Sequence, residues 1–167
     1  MDLTEVIHTR RSVRSYTSQA IGDEILAKLV EAGAAAPSGS NSQPWAFVVI
    51  RQLQRIKILQ SFAPGMSGTP QAVIALCLER RRASADCSSW LDMGAAMQNI
   101  LLQAHRLGLG ACPIASFHTE AVTTLLELPD SLKLVLLVAL GFPKSVPQAP
   151  AKRPPEEILF YEKVMDG

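Results

Sequence analysis

The sequence predicts an α+β fold in which a central β-sheet is covered by helices. Three observations carry this. Apolar runs of strand length stand at residues 46–50, 71–78 and 132–142. Segments with helical spacing alternate with them, the longest over 88–107. The chain has 167 residues, about one domain, and a chain of that size buries roughly 68–70% of the surface it exposes when unfolded.

The elements follow in order. A short first helix is expected over 3–8, just before a run of arginines. Gly22 and Asp23 open a second helix, in which Ile25, Leu26, Leu29 and Val30 recur at helical spacing before Pro37 stops it. Residues 46–50 are β-branched and aromatic and read as a buried strand. Residues 52–62 read as a helix with Ile56 and Leu59 facing inward, and Pro64, Gly65, Gly68 and Pro70 mark a loop. A second buried strand is expected over 71–78. The helix over 88–107 carries Trp90, Leu91, Met93, Ala96, Met97, Ile100, Leu101, Leu102 and Ala104 on more than one stripe. Such a helix calls for burial in a core or against another subunit. Gly108 and Gly110 end it. A short strand over 110–114, a helix over 120–126 and an apolar strand over 132–142 complete the pattern. Residues 146–155 hold four prolines and are expected to be extended, with 156–165 forming a strand or a last helical turn.

Composition narrows the function. The hydrophobic fraction is 48% and the charged fraction 19%, so the chain is globular and somewhat apolar. Sixteen basic and 15 acidic residues leave a formal charge of +1. No general field for nucleic acid or an anionic membrane follows, and any anion must be held by a local cluster. Cys77, Cys87 and Cys112 are odd in number and lack metal-type spacing, which suits a reduced, cytoplasmic chain. His8, His105 and His118 form no metal spacing either, so no metal is expected. The beginning, with Asp2, Glu5 and two arginines, is not expected to act as a signal peptide, and the apolar runs fall short of a membrane span.

Four stretches carry chemistry. The first, Arg10-Arg11-Ser12-Val13-Arg14, sets three cations and a hydroxyl within five residues. Guanidinium groups recognise phosphate and carbonyl groups with two parallel hydrogen bonds; taken alone, the stretch also suits a solvated basic turn. The second is Ala36-Pro37-Ser38-Gly39-Ser40-Asn41-Ser42-Gln43-Pro44-Trp45. It offers backbone N–H groups, hydroxyls and amides to a polar ligand, and is longer than a plain helix-to-strand connection needs. The third runs from Gly108 to Phe117 through Pro113, Ile114, Ala115 and Ser116. Its glycines let backbone approach a flat ligand, and its Cys112 reads as a small buried apolar residue. The fourth is Lys152-Arg153 in the proline-rich tail. Asp92 and Glu120 form no obvious acid pair, and phosphate-loop, nucleophile-elbow and dinucleotide fingerprints are missing from the sequence.

Taken in this order, from about residue 6 to 162, these stretches resemble the nitroreductase family of flavoproteins. Asp92 to Asn99, Leu107-Gly108-Leu109-Gly110 and Gly141-Phe142-Pro143 follow the family order as well. The resemblance implies one nitroreductase-like domain over 1–167 and a domain-exchanged homodimer with FMN at the interface. It also implies a mixed sheet whose last strand comes from the partner's tail, about 146–167. Carried over, Arg10, Arg11 and Ser12 would bind the FMN phosphate and ribityl chain, and Arg14 would approach the pyrimidine edge. Pro37, Ser38, Gly39, Ser40, Asn41 and Gln43 would come from the partner subunit. Pro113, Ile114, Ala115 and Ser116 would lie along the isoalloxazine, and Lys152 and Arg153 would return to the phosphate.

The activity so implied takes electrons from NADH or NADPH through FMN to small acceptors such as nitroaromatics or quinones, with ping-pong kinetics. It needs no acid/base dyad, because the hydride chemistry belongs to the flavin. The alternatives are a specialised flavoenzyme of the same fold (a dehalogenase, an azoline dehydrogenase or a flavin-fragmenting enzyme) and a flavin-binding protein without turnover. Two departures from the family pattern stand out. Residues 67–88 and 117–128 leave little room for the flavin-covering insertion of larger members. Ile114-Ala115-Ser116 replaces the acid and glycine that many members carry after the proline.

Overall fold

Strand β1 spans Trp45–Ile50, β2 Ala72–Glu79, β3 Gly110–Ile114 and β4 Leu132–Gly141; helices α1 to α5 span Leu3–Thr9, Asp23–Ala34, Leu53–Ser61, Ser88–Arg106 and Thr119–Leu125. They come from a computed structural model that describes residues 1–84 and 88–163. The strands form one sheet in the order β1-β2-β4-β3. This is the α+β fold expected from the sequence. The four strands pair antiparallel throughout, and the parallel component of the expected mixed sheet is a single bridge between Ser12 and Ala111.

The two central strands are apolar at nearly every position because both of their faces are covered. Alternate side chains of β2 go to opposite sides. Val73, Ala75 and Cys77 join Ile56, Leu59, Val122 and Leu137 in one core beneath α3 and α5. Ile74, Leu76 and Leu78 join Leu29, Met93, Ile100 and Leu140 in the other, beneath α2 and α4. A register shift at Leu76/Cys77 interrupts the β2–β4 ladder.

Element boundaries fall within a few residues of expectation, with three informative differences. Helix α2 stops at Ala34, before Pro37, with the Ala35 N–H bonding back to Glu31 and Gly33. Helix α4 buries Met93, Ala96, Ile100, Leu101 and Ala104, whereas Trp90 and Leu91 in its first turn are exposed. The tail resolves into a single 3₁₀ turn at Pro155–Glu157, with 158–163 irregular and exposed. Cys87 and the last four residues of the chain lie outside the described residues.

Candidate functional site

The segment after α1 is laid along the sheet by a few close contacts. The Asp2 carboxylate caps α1 by accepting from the Glu5 N–H at 2.8 Å. At the other end, Arg11 Nη1 donates to the His8 and Arg10 carbonyls, both at 2.8 Å, satisfying acceptors that the last helical turn leaves open. The Val13 N–H then donates to the Ala111 carbonyl at 3.0 Å. Gly110 is required there, because a Cβ would collide with Val13. The Tyr16 hydroxyl donates to the Val13 carbonyl at 2.6 Å. With Val13 and Tyr16 buried, Ser12 and Arg14 are left facing outward.

Arg10, Arg11, Ser12 and Arg14 line a cavity of about 660 Å³ with Ile7 and His8. Its far wall comes from the tail: Pro147, Gln148, Ala149, Pro150 and Lys152. The structure therefore brings two of the four sequence stretches together across more than 130 residues of chain. Among the described residues, buried Arg10 Nη1 has no hydrogen-bond partner. A buried donor left unmade costs about 1–3 kcal/mol, more when charged, so this guanidinium is poised for an anionic acceptor.

Burial dominates the neighbouring titratable groups, and the arginines act on them as well. Thr9 Oγ1 donates to the Glu5 carbonyl at 2.6 Å and lies 2.8 Å from His105 Nε2. The direction of this second bond follows the His105 tautomer: with the hydroxyl proton on the Glu5 carbonyl, Thr9 Oγ1 accepts from an Nε2–H. Partial burial, then Arg10 and Arg11, hold the His105 pKa below its usual range. Burial pushes the Cys112 thiol up, outweighing the opposing pull of Arg14 and Arg10. Burial also raises the Tyr16 phenol. Cys112 and Tyr16 therefore stay protonated near neutrality, and Cys112 is no thiolate nucleophile.

The 37–43 loop is built differently. Its Gly39 N–H donates to Asp92 of α4, 3.2 Å from Oδ1, and the Gln43 N–H donates to Ser38 Oγ at 3.0 Å. Ser40, Asn41 and Gln43 have φ of 51°, 54° and 48°, left-handed values uncommon outside glycine. Three such residues in four positions mark a loop held in shape by its surroundings. Asp92, buried at 8% exposure, is a site-shaping residue that pairing of acids does not find, because its partner is a backbone N–H. The available signal was a lone acid on the buried side of an apolar helix.

The remaining candidates divide. Ile114 puts its side chain into the core, Pro113 is half-buried, and Ala115 and Ser116 are exposed beyond the end of β3. Gly65 packs on Ser116 so closely that a Cβ would collide with its Oγ. Lys152 lines the cavity, whereas Arg153 closes a turn within the tail. Its Nε donates to the Glu157 carboxylate at 3.2 Å and its Nη2 to the Glu157 carbonyl at 2.8 Å. Among the described residues no group of three or more His, Cys, Asp or Glu could hold a metal, and no helix is long and apolar enough to cross a membrane.

Comparison with known proteins identifies the family. A protein of Archaeoglobus fulgidus, provisionally named NADH dehydrogenase/NAD(P)H nitroreductase, is 35% identical over 147 residues that cover 84% of each chain. The crystal structure of a provisionally named nitroreductase from Desulfovibrio desulfuricans, in complex with FMN, superposes with a TM-score of 0.85 at 33% identity and covers 96% of each chain. The NADPH:FMN oxidoreductase of Vibrio harveyi, complexed with NAD+, superposes with a TM-score of 0.88 at 25% identity, over 98% of this chain and 78% of that one. The sequence model described as Nitroreductase family matches residues 7–80 and 68–142, well over half of the length. The chain belongs to the nitroreductase family.

Proposed function

We propose that this chain is an FMN-dependent oxidoreductase that takes electrons from NADH or NADPH and passes them to small acceptors such as nitroaromatics or quinones. The cavity formed by Arg10, Arg11, Ser12, Arg14 and Lys152, with the unpartnered Arg10 Nη1 beside it, carries the reading. A flavin monophosphate fits that donor set. Its phosphate bears close to two negative charges, and charge-assisted hydrogen bonds contribute roughly 1.5–3 kcal/mol each. Arg10, Ser12 and Lys152 would hold the phosphate and ribityl chain. Arg11, committed to the α1 carbonyls, would add its charge. Arg14 would set a cation at the ring edge. FMN, when bound, would supply two-electron transfer between a nicotinamide and an acceptor. The D. desulfuricans protein is complexed with FMN, and the V. harveyi protein is by name an NADPH:FMN oxidoreductase.

The rest of the site comes, in this reading, from a second copy. Pro37, Ser38, Gly39, Ser40, Asn41 and Gln43 of the partner would face the flavin, and its tail would pair with β1. Strand β1 has one described neighbour, β2. Cavities of about 370 and 550 Å³ flank it, lined by Val48, Ile50 and Arg55 on one side and Leu26, Val30 and Phe47 on the other. Ile158, Leu159, Phe160 and Tyr161 are exposed in the single chain and suit those cavities. The buried free thiols Cys77 and Cys112 suit the reducing cytoplasm.

The purified protein should be yellow and release FMN on denaturation. NADH or NADPH should bleach it anaerobically, a quinone or nitroaromatic should restore the colour, and double-reciprocal plots should be parallel. A preparation that stays colourless after incubation with FMN overturns the reading.

A further inference from the structure

The turn that follows β2 is a run of three arginines, Arg80–Arg82, in one 3₁₀ turn. On a chain with a formal charge of +1 this is a concentrated cation site, separate from Arg10–Arg14. The turn is fixed on two sides. Arg80 Nε donates to the Asp130 carbonyl at 2.8 Å and the Arg80 N–H to the Ser131 carbonyl at 2.9 Å, anchoring it to the approach to β4. The Glu79 N–H donates to the Pro44 carbonyl at 2.7 Å, and Arg82 Nη1 reaches the Ser42 carbonyl at 3.4 Å. Those two contacts tie it to the 37–43 loop.

The guanidiniums are oriented rather than neutralised. One carboxylate, Glu79, serves two of them: Oε1 pairs with Arg81 and Oε2 with Arg82 at 2.9 Å. Both contacts use Nε, so Nη donors remain for an anion. The Arg81 and Arg82 side chains are 78% and 50% exposed. An aromatic ring lies alongside. The Ser84 N–H donates to Ser89 Oγ at 2.7 Å, which joins the turn to the start of α4, where Trp90 is exposed. Lys133 Nζ lies over one face of the Trp90 ring, 4.8 Å from its centroid, so it adds a fourth cation and stacking falls to the opposite face of this exposed indole.

Oriented arginines beside an exposed indole suit a phosphate joined to a flat heterocycle. We propose that Arg80–Arg82 bind the 2′-phosphate of NADPH, with Trp90 as the stacking surface for its adenine, so that the chain prefers the phosphorylated nucleotide. The inference rests on the reading that the 37–43 loop of one copy lies at the flavin of the other, which puts the arginine turn at the mouth of the partner's site. NADH presents a hydroxyl at that position and gains no charge-assisted hydrogen bonds there.

The test compares kcat/KM for NADPH and NADH on the flavin-loaded protein. It is paired with calorimetric titration of adenosine 2′,5′-bisphosphate and adenosine 5′-monophosphate. The wild type should favour NADPH by about tenfold or more, and should bind the bisphosphate more tightly by a similar factor. Arg81→Gln combined with Arg82→Gln should bring both ratios close to one, chiefly through KM for NADPH. Arg81→Gln alone, which keeps the Ser42 contact, should lower them in part. A wild-type ratio near one, ratios unmoved by the substitutions, or equal binding of the two adenosine nucleotides overturns the proposal. Failure of both dinucleotides to reduce the flavin would sink the broader reading of function, while the titration still judges the phosphate site by itself.

Discussion

Asp92 and Gly39, 53 residues apart, are joined by a hydrogen bond from the Gly39 N–H to the buried carboxylate, 3.2 Å from Oδ1 and 3.4 Å from Oδ2. The bond pins the 37–43 loop onto α4 just before its left-handed residues. Asp92→Ala should cost about 1.5–3 kcal/mol of stability and weaken FMN binding as the loop relaxes. Asp92→Asn, which keeps an acceptor oxygen, should recover part of both. Denaturant titration and FMN titration read the two effects, and an Asp92→Ala protein equal to wild type in both would show that the anchor is idle.

Arg10 and Arg14 should separate binding from tuning. Arg10→Ala should weaken FMN binding by about tenfold to a hundredfold. It should leave the flavin-free protein no less stable, since it removes a buried donor that has no partner among the described residues. Arg14→Ala should move the flavin reduction potential more than the affinity. Equal effects of both substitutions on both quantities would show the roles to be wrong.

The His105 pKa is depressed in the folded chain, so the unfolded chain takes up its proton first as pH falls. The stability associated with the neutral ring is present above the unfolded value near 6.5 and is lost as pH falls through the lower folded value. The flavin-free protein should therefore lose melting temperature below about pH 6.5, and His105→Gln should flatten that dependence. Inorganic phosphate or FMN, by screening Arg10 and Arg11, should flatten it as well. A wild-type profile that matches His105→Gln at every pH contradicts the assignment.

Gly65 and Gly68 lie in one loop and should respond differently to alanine. Gly68 has φ of +75°, and a Cβ there would strike the Arg14 carbonyl, a backbone atom that cannot rotate away. Gly68→Ala should cost about 1–3 kcal/mol and disturb the placement of Arg14. At Gly65 the obstacle is the Ser116 hydroxyl, which can turn aside, so Gly65→Ala should be milder in stability. Thermal melts of the two variants decide the order.

Truncation before Pro147 removes Lys152 from the cavity together with Ile158, Leu159, Phe160 and Tyr161. It should lower FMN affinity about tenfold or more and shift the protein from dimer to monomer. Sedimentation with absorbance detection follows mass and flavin at once. A truncated chain that runs as a flavin-loaded dimer would refute tail exchange.

Much of the fold was legible because the central strands are short apolar runs bounded by turn residues. The antiparallel order β1-β2-β4-β3 was not, since β2 and β4 are apolar on both faces and neither carries an alternation that names its neighbour. The Arg10–Arg14 cluster stood out by charge density. Its meeting with Lys152 is a tertiary event that local pattern does not encode. Arg153 shows the limit from the other side: Glu157 stands four residues on and takes its guanidinium within the tail. Arg80–Arg82 carry no local motif; what sets them apart is tertiary, the anchors to Ser42, Asp130 and Ser131.

Strand β1 also bears on handling. Among the described residues β1 pairs only with β2, so its other edge presents backbone donors and acceptors along Trp45-Ala46-Phe47-Val48-Val49-Ile50, a segment without a charge or a proline. Such an edge is a template for indiscriminate strand addition. If a partner's tail covers that edge, as proposed, preparations lacking the tail should form insoluble assemblies more readily and are best kept cold, dilute and brief.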